Sequence, residues 1–320
     1  MKFIIVFLGF LLLLNIAKPR FDSEVFKNKS FFDFFKWQFT ASRGFWPSDV
    51  KINPLSSLPD MSSSAQVIYI NHSSFLIRLA DFNILIDPIY SDFASPVNFG
   101  PKRVHEPYLP YDLLPKIDLV LISHNHYDHL DLPTLRRLYH DFNPQFLVGL
   151  NTSKYLQKKI DSNIESTDMN HADEFRYNGV SIFFEDAIHW SKRSLFDTNT
   201  MLWGSFVIKS DEKLIYHAGD TGYGKHFLDL QKKFGDFDFA MLPIGDYKPE
   251  WFMLRSHMNP MQAFKAMRDL NAISGFAMHY GTFPLADNSF EDPLVDFKKA
   301  KDSNPDLNFL LPTEINFQDL

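Results

Sequence analysis

The 320-residue sequence contains no cysteine, which excludes disulfide bonds and thiolate metal ligands. It also lacks a basic excess, because 32 Lys and Arg face 39 Asp and Glu and give a formal net charge of -7. A nucleic-acid binder is therefore not expected, since such proteins neutralise phosphates with clustered cations. The hydrophobic content of 45% excludes a disordered or collagen-like chain. These limits leave a folded unit of enzyme size, in which any metal must be held by imidazole and carboxylate groups.

The N-terminus carries an almost unbroken apolar run from Phe3 to Leu14. About 15 residues of helix cover roughly 22 Å, which is less than the ~30 Å hydrocarbon core and favours a signal peptide over a full span. Asn15 and Ala17 form a poor cleavage site, so an uncleaved anchor stays open, and an ordinary buried helix is a third interpretation. We expect residues 1–17 to be a signal peptide or short membrane anchor. The protein is then membrane-associated or exported to the cell envelope or periplasm.

Residues 18–62 form an arm rich in aromatic residues, in a chain with 34 Phe. A stripe of aromatic side chains in this arm, together with Lys36, suits a membrane interface: Phe31, Phe32, Phe34, Phe35, Trp37 and Phe39. The alternative is that the same side chains pack on the main domain, which the interruption by Asp33 favours. The remaining residues, 63–320, are expected to form one catalytic domain.

Short β-like runs separated by turns begin at residue 66. The apolar runs predict strands at 67–70, 75–79, 84–86, 117–122, 146–148, 180–185, 203–209, 214–217 and 239–242. Helical patterns interleave with them at 133–140, 152–159, 225–234, 260–270 and 290–301. Two strand-rich halves that carry helices predict an α+β fold with two β-sheets packed face to face and helices outside.

A cluster of metal-ligating residue types follows the apolar run 118–122: Ser123-His124-Asn125-His126-Tyr127-Asp128-His129-Leu130-Asp131. His124 and His126 are two residues apart, so in an extended segment their rings face the same side. Asp128 and His129 lie where the chain turns and can reach a second point nearby. Because two catalytic metals lie ~3.5–4 Å apart, this spacing predicts a two-metal site at the end of a strand.

One loop cannot complete two coordination shells, so further ligands are expected from other strand ends. His189 follows the run that ends at Glu185, Asp220 follows the run at 214–217, and His279 follows the run at 275–278. Taken singly each would be an ordinary residue, but the need for ligands selects them. Asp220 is the best candidate to bridge two metals, because a carboxylate has two oxygens to share.

These residues resemble the metallo-β-lactamase superfamily, whose pattern is H-x-H-x-D-H followed by a distant His, Asp and His. The resemblance implies the αβ/βα sandwich fold of that superfamily. The match is closer to its N-acylphosphatidylethanolamine phospholipase D branch, through blocks that run in order from about residue 67 to 285. The blocks are 85–91, 100–103, 114–118, 123–131, 189–190, 202–205, 218–223, 243–245, 251–253 and 279–283.

The ligand set that the resemblance implies is His124, His126 and His189 on one zinc ion, Asp128, His129 and His279 on a second, and Asp220 bridging. Asp128 and Asp220 are the implied catalytic carboxylates. His257 and Tyr280 are placed on the substrate side, although the branch commonly has Trp at the position of Tyr280. His72 belongs to the segment Asn71-His72-Ser73-Ser74, where the branch usually has Gly-His-Ala-Thr. The resemblance implies that His72 supports a metal ligand from behind.

With two zinc ions as cofactors, the resemblance implies hydrolysis of N-acylphosphatidylethanolamine to an N-acylethanolamine and a phosphatidic acid. Either Asp128 or a metal-bound water would protonate the leaving alkoxide. A lactonase or esterase of the same fold is the first alternative, and an envelope protein that binds metal or lipid without turnover is the second. A phospholipid and a membrane surface are the expected partners, nucleic acid is not, and a homodimer is left open.

Overall fold

The computed structural model describes residues 21–25, 31–79, 82–194 and 196–320. The expected signal peptide or anchor at residues 1–17 lies outside the described residues. Within the part of the chain that is described, no helix combines the length and apolar character needed to cross a membrane. The assignments of residues 1–17 and of a domain boundary at residue 63 therefore stay predictions.

The first sheet contains seven strands in the order β14-β1-β2-β3-β4-β5-β6. These strands are β1 (Ala65–Asn71), β2 (Ser74–Leu79), β3 (Phe82–Ile86), β4 (Leu119–Ile122), β5 (Gln145–Gly149), β6 (Ser166–Met169) and β14 (Phe317–Asp319). β1, β2 and β3 are antiparallel neighbours, whereas β3 to β6 are parallel. β14 pairs antiparallel with β1, which closes this edge of the sheet with residues from the far end of the domain.

The second sheet also contains seven strands, in the order β13-β12-β11-β10-β9-β8-β7. These strands are β7 (Asp173–Tyr177), β8 (Val180–Glu185), β9 (Ser205–Lys209), β10 (Leu214–His217), β11 (Phe239–Pro243), β12 (Ser274–Met278) and β13 (Asn308–Leu310). β7 to β10 are antiparallel neighbours, and β10 to β13 are parallel. Each half of the domain thus combines antiparallel and parallel strands.

Most strands of the first sheet are buried on both faces, which explains their continuous apolar runs. Successive side chains alternate between two cores: Val67 packs in the core shared with the second sheet, whereas Ile68 packs in the core beneath the helices. Across the sandwich, the ring centroids of Phe75 and Phe276 lie 6.4 Å apart. The prediction of two sheets packed face to face with helices outside is confirmed.

Within the described ranges, the α-helices are α1 (Phe31–Thr40) in the arm, α2 (Leu132–Phe142), α3 (Thr152–Lys159), α4 (His226–Phe234), α5 (Glu250–Met253), α6 (Pro260–Asp269) and α7 (Asp292–Asp302), and a short 3-10 helix spans Tyr111–Leu113. Leu135 of α2 and Leu156 of α3 pack in the same buried cluster as Val120 of β4. At the start of α6, the side chains of Asn259 and Gln262 form a capping box. This cap fixes the entry into α6 just after the segment that carries His257.

The strands that precede the predicted ligands run in the same direction within their sheets. β1 and β3 are each antiparallel to β2, and β4 is parallel to β3. In the second sheet β8 and β10 are each antiparallel to β9, and β11 and β12 are parallel to β10. The C-terminal ends of these strands therefore lie at one edge of each sheet.

Part of the arm packs on the domain. Trp37 of α1 is buried, its ring stacks on Phe252 with a centroid distance of 5.1 Å, and its Nε1 donates to Asp287 Oδ1 at 3.2 Å. Phe32 and Phe39 of the same helix are 81% and 86% exposed. The arm therefore combines aromatic contacts with the domain and aromatic side chains that face outward.

Candidate metal centre

Four side chains from both halves of the domain form a first cluster: His124, His126, His189 and Asp220. His126 Nδ1 lies 2.9 Å from His124 Nε2 and 3.2 Å from His189 Nε2. Asp220 Oδ2 lies 3.8 Å from His124 Nε2 and 3.7 Å from His189 Nε2. The loop after β4, residues 124–131, is called the metal loop below, and it meets ligands that follow β8 and β10.

A second cluster adjoins Asp220 and contains Asp128, His129 and His279, with His72 beside them. His129 Nε2 lies 3.4 Å from Asp128 Oδ2 and 3.3 Å from Asp220 Oδ1. His279 Nε2 lies 3.3 Å from Asp128 Oδ2 and 3.0 Å from Asp220 Oδ2. The carboxylate of Asp220 therefore contacts both clusters, in the position expected of a bridging ligand.

These separations fit metal ions with tetrahedral ligands. Nitrogen ligands about 2.0–2.1 Å from such an ion lie roughly 3.3 Å from one another, and the separations quoted above range from 2.9 to 3.8 Å. His129 Nε2, His279 Nε2 and Asp220 Oδ1 are buried yet make no hydrogen bond. Because buried polar atoms without a partner are rare, their convergence indicates a metal-binding site. Imidazole and carboxylate ligands accept zinc, manganese and iron alike.

Asp87 organises the metal loop from behind. Its carboxylate accepts hydrogen bonds from Ser123 N at 2.7 Å, from Ser123 Oγ at 2.5 Å and from His129 Nδ1 at 2.7 Å. Ser123 Oγ also lies 3.0 Å from His124 Nδ1. These contacts leave the Nε2 atoms of both histidines facing the clusters. Sequence reasoning assigned no role to Asp87, although it follows the apolar run of β3 as Asp220 follows that of β10.

Two other predicted ligands have outer partners that the sequence did not reveal. His189 Nδ1 donates to the carbonyl oxygen of Ser256 at 3.0 Å, and the carbonyl of His189 accepts a bond from Ser23 Oγ at 2.6 Å. His279 Nδ1 lies 3.4 Å from Asp246 Oδ2. Partners this distant in sequence depend on the fold, so no local motif announces them.

The charges of the site favour metal binding. Burial lowers the pKa of His126 to about 4, and burial with neighbouring histidines holds the pKa values of His124 and His189 well below their ordinary value. These three rings are therefore neutral, which is the form that binds a metal. Burial would raise the pKa of Asp220, but the neighbouring histidines outweigh it and hold that pKa well below its usual range. Burial would lower the pKa values of His129 and His279, but the carboxylates beside them outweigh it, raising that of His279 to about 10 and that of His129 well above its ordinary value. A metal ion at these two rings would therefore replace protons that balance the charge of the carboxylates.

The turns that aim the site residues have unusual backbones. His72, Asp87, Asp246 and His279 adopt φ values of 48, 43, 56 and 60°, in the left-handed region that non-glycine residues rarely occupy. Such conformations cost about 1–3 kcal/mol each and persist where surrounding contacts enforce them. Gly219, with φ of 58°, precedes the bridging candidate, and a Cβ there would lie 2.8 Å from the carbonyl of Gly204. The strand ends thus turn sharply enough to point successive side chains inward.

His72 and His257 both lie at the site. His72 Nε2 lies 3.0 Å from Asp128 Oδ2, and burial lowers the pKa of His72 to about 4, so a neutral ring donates to that carboxylate. His257 Nδ1 lies 4.0 Å from Asp220 Oδ2, and its side chain is 13% exposed. His257 is therefore the more accessible of the two, and His72 supports Asp128 from behind.

Tyr280 is placed differently from the other predicted site residues. Its side chain is buried in the core shared by the two sheets, and its hydroxyl lies 3.2 Å from Thr313 Oγ1. The structure does not bring this hydroxyl to the two clusters. A contact of Tyr280 with substrate stays a prediction.

Comparisons with known proteins identify the family. The family model of the beta-lactamase superfamily domain matches residues 82–280. The chain is 32% identical over 282 residues to N-acyl-phosphatidylethanolamine-hydrolyzing phospholipase D 1 of Caenorhabditis elegans. This alignment covers 82% of this chain and 79% of that protein. It is 37% identical over 215 residues to the mitochondrial N-acyl-phosphatidylethanolamine-hydrolyzing phospholipase D of Saccharomyces cerevisiae. This second alignment covers 66% of this chain and 46% of that protein.

Among solved structures, Igni18, a metallo hydrolase from the archaeon Ignicoccus hospitalis, matches with a TM-score of 0.58 and 22% identity. The match covers 77% of this chain and 94% of Igni18, which shows a shared fold. The chain therefore belongs to the beta-lactamase superfamily and is a metal-dependent hydrolase. Within the superfamily, it is similar to the phospholipases D that hydrolyse N-acylphosphatidylethanolamine.

Proposed function

We propose that this chain is a two-zinc phosphodiesterase that hydrolyses N-acylphosphatidylethanolamine to an N-acylethanolamine and a phosphatidic acid. The observation that carries the proposal is the position of Asp220, whose carboxylate lies 3.0–3.8 Å from histidine nitrogens of both clusters. A carboxylate shared in this way suits two ions that act together on one phosphoryl group.

The substrate class is supported by the relatives and by the surface of the arm. Both curated relatives described above carry the name of an N-acylphosphatidylethanolamine-hydrolysing phospholipase D. Phe32, Phe39 and Phe45 are each more than 80% exposed, and aromatic side chains favour the membrane interface. A lipid substrate fits this surface better than a small soluble ester.

When bound, two zinc ions lower the pKa of a water molecule and neutralise charge that develops on the phosphoryl oxygens. Burial would raise the pKa of Asp128, but His129, His279 and His72 hold it well below its usual range. The ionised carboxylate of Asp128, which His72 Nε2 holds from behind, accepts a hydrogen bond from the attacking water and takes its proton only transiently, because so low a pKa disfavours the protonated carboxyl group. The water oxygen bonds to phosphorus, the bond from phosphorus to the ethanolamine oxygen breaks, and Asp128 returns the proton to the leaving oxygen.

The same proposal includes the partners and the location of the protein. A phospholipid is the substrate, and a membrane surface is the partner that presents it, with residues 1–17 as signal peptide or anchor at the cell envelope. Nucleic acid is not a partner, because the chain carries a net charge of -7. A homodimer remains compatible with these assignments.

The test is a metal count combined with an activity assay on the full-length chain in detergent. We expect two zinc ions per chain and release of N-acylethanolamine from N-acylphosphatidylethanolamine. A simple lactone and a simple carboxylic ester serve as competing substrates in parallel reactions. If the chain binds two zinc ions but hydrolyses only the lactone or the ester, its function is that of a lactonase or esterase. A purified chain that takes up no metal would overturn the proposal.

A further inference from the structure

Arg193 lies four residues after the candidate ligand His189 and reaches across to the metal loop. Its Nη1 donates hydrogen bonds to the carbonyl oxygens of Asn125 and Leu130, both at 2.8 Å. A longer contact of 3.4 Å joins the same nitrogen to the carbonyl of His126. The two short bonds bracket the turn at residues 126–129, which carries three of the candidate ligands.

Tyr127, in the middle of that turn, makes a reciprocal contact with Arg193. The guanidinium carbon of Arg193 lies 4.0 Å from the centroid of the Tyr127 ring, a distance at which cation and ring attract each other. The hydroxyl of Tyr127 in turn donates to the backbone carbonyl of Arg193 at 2.8 Å. The side chain of each residue therefore fixes the other.

The loop that carries Arg193 is itself tightly bonded. Asn199 and Ser191 exchange two hydrogen bonds, at 3.1 Å from Ser191 N to Asn199 Oδ1 and at 2.8 Å from Asn199 N to Ser191 O. Asp197 Oδ1 accepts from Arg193 N at 3.0 Å and from Ser194 N at 2.7 Å. These bonds hold the backbone of residues 191–194, from which the guanidinium can position other groups.

A second contact joins the same two loops. The backbone N–H of Lys192 donates to Oδ1 of Asn125 at 2.8 Å, and Asn125 is fully buried inside the metal loop. Among the described residues, Arg193 forms no ion pair with a carboxylate, so its charge is directed at carbonyl dipoles of the metal loop. Because the metal loop between β4 and α2 is neither helix nor strand, these carbonyls need such donors.

We propose that Arg193 is a positioning residue that holds the metal loop in the conformation in which its ligands reach the metal centre. It joins the segment that supplies His189 from the second half of the domain to the segment that supplies His124, His126, Asp128 and His129 from the first. The inference rests on the metal centre of the proposed function and is independent of which bond the enzyme hydrolyses.

The test compares zinc affinity, measured by competition with a chelating dye, in the wild-type chain and in variants at position 193. Arg193→Gln removes the Nη1 donor and the guanidinium plane, and we expect zinc affinity to fall about 10- to 100-fold, the usual effect of losing a partner that orients a ligand. Arg193→Lys should give an affinity between those of the wild type and Arg193→Gln, because an ammonium keeps the charged donor but has no planar guanidinium to stack on Tyr127. The melting temperature of each metal-free variant separates loss of positioning from general destabilisation.

Arg136→Gln is the matched control, because Arg136 lines the same surface cavity and donates to the carbonyl of Lys159 at 2.7 Å, outside the metal loop. Its zinc affinity should equal that of the wild type. Should Arg193→Gln fail to fold, Tyr127→Phe removes the reciprocal hydroxyl bond and should weaken zinc binding in the same direction. Unchanged zinc affinity in the position 193 variants, or an equal loss in Arg136→Gln, would overturn the inference. If the wild-type chain binds zinc but cleaves only esters, the proposed phospholipid substrate is wrong, but the positioning role of Arg193 still stands.

Discussion

His129 presents Nδ1 to Oδ2 of Asp87 at 2.7 Å, and this contact fixes Nε2 as the nitrogen that faces both candidate carboxylates of the metal centre. The carboxylate of Asp87 receives three donors in all, two of them from Ser123. Outer carboxylates of this kind set the orientation of a histidine ring and raise its basicity toward a metal. Asp87 thus influences the metal centre through His129 and Ser123, without being a candidate ligand itself.

Replacement of Asp87 by Asn should weaken metal binding. The amide has one acceptor oxygen in place of two, so it cannot receive all three donors, and its NH₂ group faces a donor. We expect zinc affinity to fall about 10- to 100-fold, measured by dye competition. Asp168→Asn is the control, because the carboxylate of Asp168 also accepts hydrogen bonds from backbone N–H groups, those of Asn151 and Ser153, and lies outside the metal loop. Equal losses in both variants would contradict a specific role for Asp87.

Replacement of His126 by Ala should abolish activity. The first cluster then loses the ring whose Nδ1 lies between His124 and His189, and turnover should fall more than about 100-fold together with metal content. His140→Ala, which removes an imidazole that is 88% exposed on α2, should retain wild-type values for both. Near-normal turnover with unchanged metal content in His126→Ala would refute the ligand assignment.

Metal binding should also stabilise the fold. A ligand that binds only the folded state adds about 2.7 kcal/mol when its concentration is 100 times the dissociation constant. Thermal unfolding of the metal-free chain, repeated with increasing zinc, should therefore show a rising melting temperature. The same titration with His126→Ala should give a much smaller rise, and equal rises would show that the zinc binds elsewhere.

The buried side chain of His226 should make the fold sensitive to acid. Burial lowers its pKa to about 4, whereas the unfolded chain has a pKa near 6.5. Since the unfolded state binds the proton more tightly, stability is full above about pH 6.5 and declines as the pH falls toward 4. Between about pH 7 and 5 this group alone should cost the wild type about 2 kcal/mol. Denaturant unfolding of His226→Gln should show a decline about 2 kcal/mol smaller over this range, because the other buried histidines still contribute, and parallel pH profiles for the two proteins would contradict the assignment.

The positions of the candidate ligands could be predicted because each follows an apolar strand run. His189, Asp220 and His279 come after β8, β10 and β12, whose burial makes the runs continuous and easy to recognise. Because β8, β10 and β12 run in the same direction, their C-terminal ends lie at one edge of the second sheet. The local pattern therefore contained both the residue types and their approximate place in the fold.

Other features could not be predicted, because they depend on contacts between distant segments. The roles of Asp87 and Arg193 become visible only when the loops after β3, β4 and β8 are brought together. The strands β6 and β7 were missed because their residues are partly exposed and polar, so they carry no apolar run. β13 and β14 contain only three residues each, which is too short for a periodic signal.

The pairing of β14 with β1 has a consequence for biosynthesis. Gln66 of β1 bonds through its side chain to Asp319, which lies 253 residues later in the chain. At 5–20 residues per second, a ribosome needs roughly 13–50 s to synthesise that interval. During this time the outer edge of β1 has no strand to pair with and can recruit another chain. The nascent protein therefore needs protection from aggregation at this edge until the three residues of β14, far along the sequence from β1, have been synthesised.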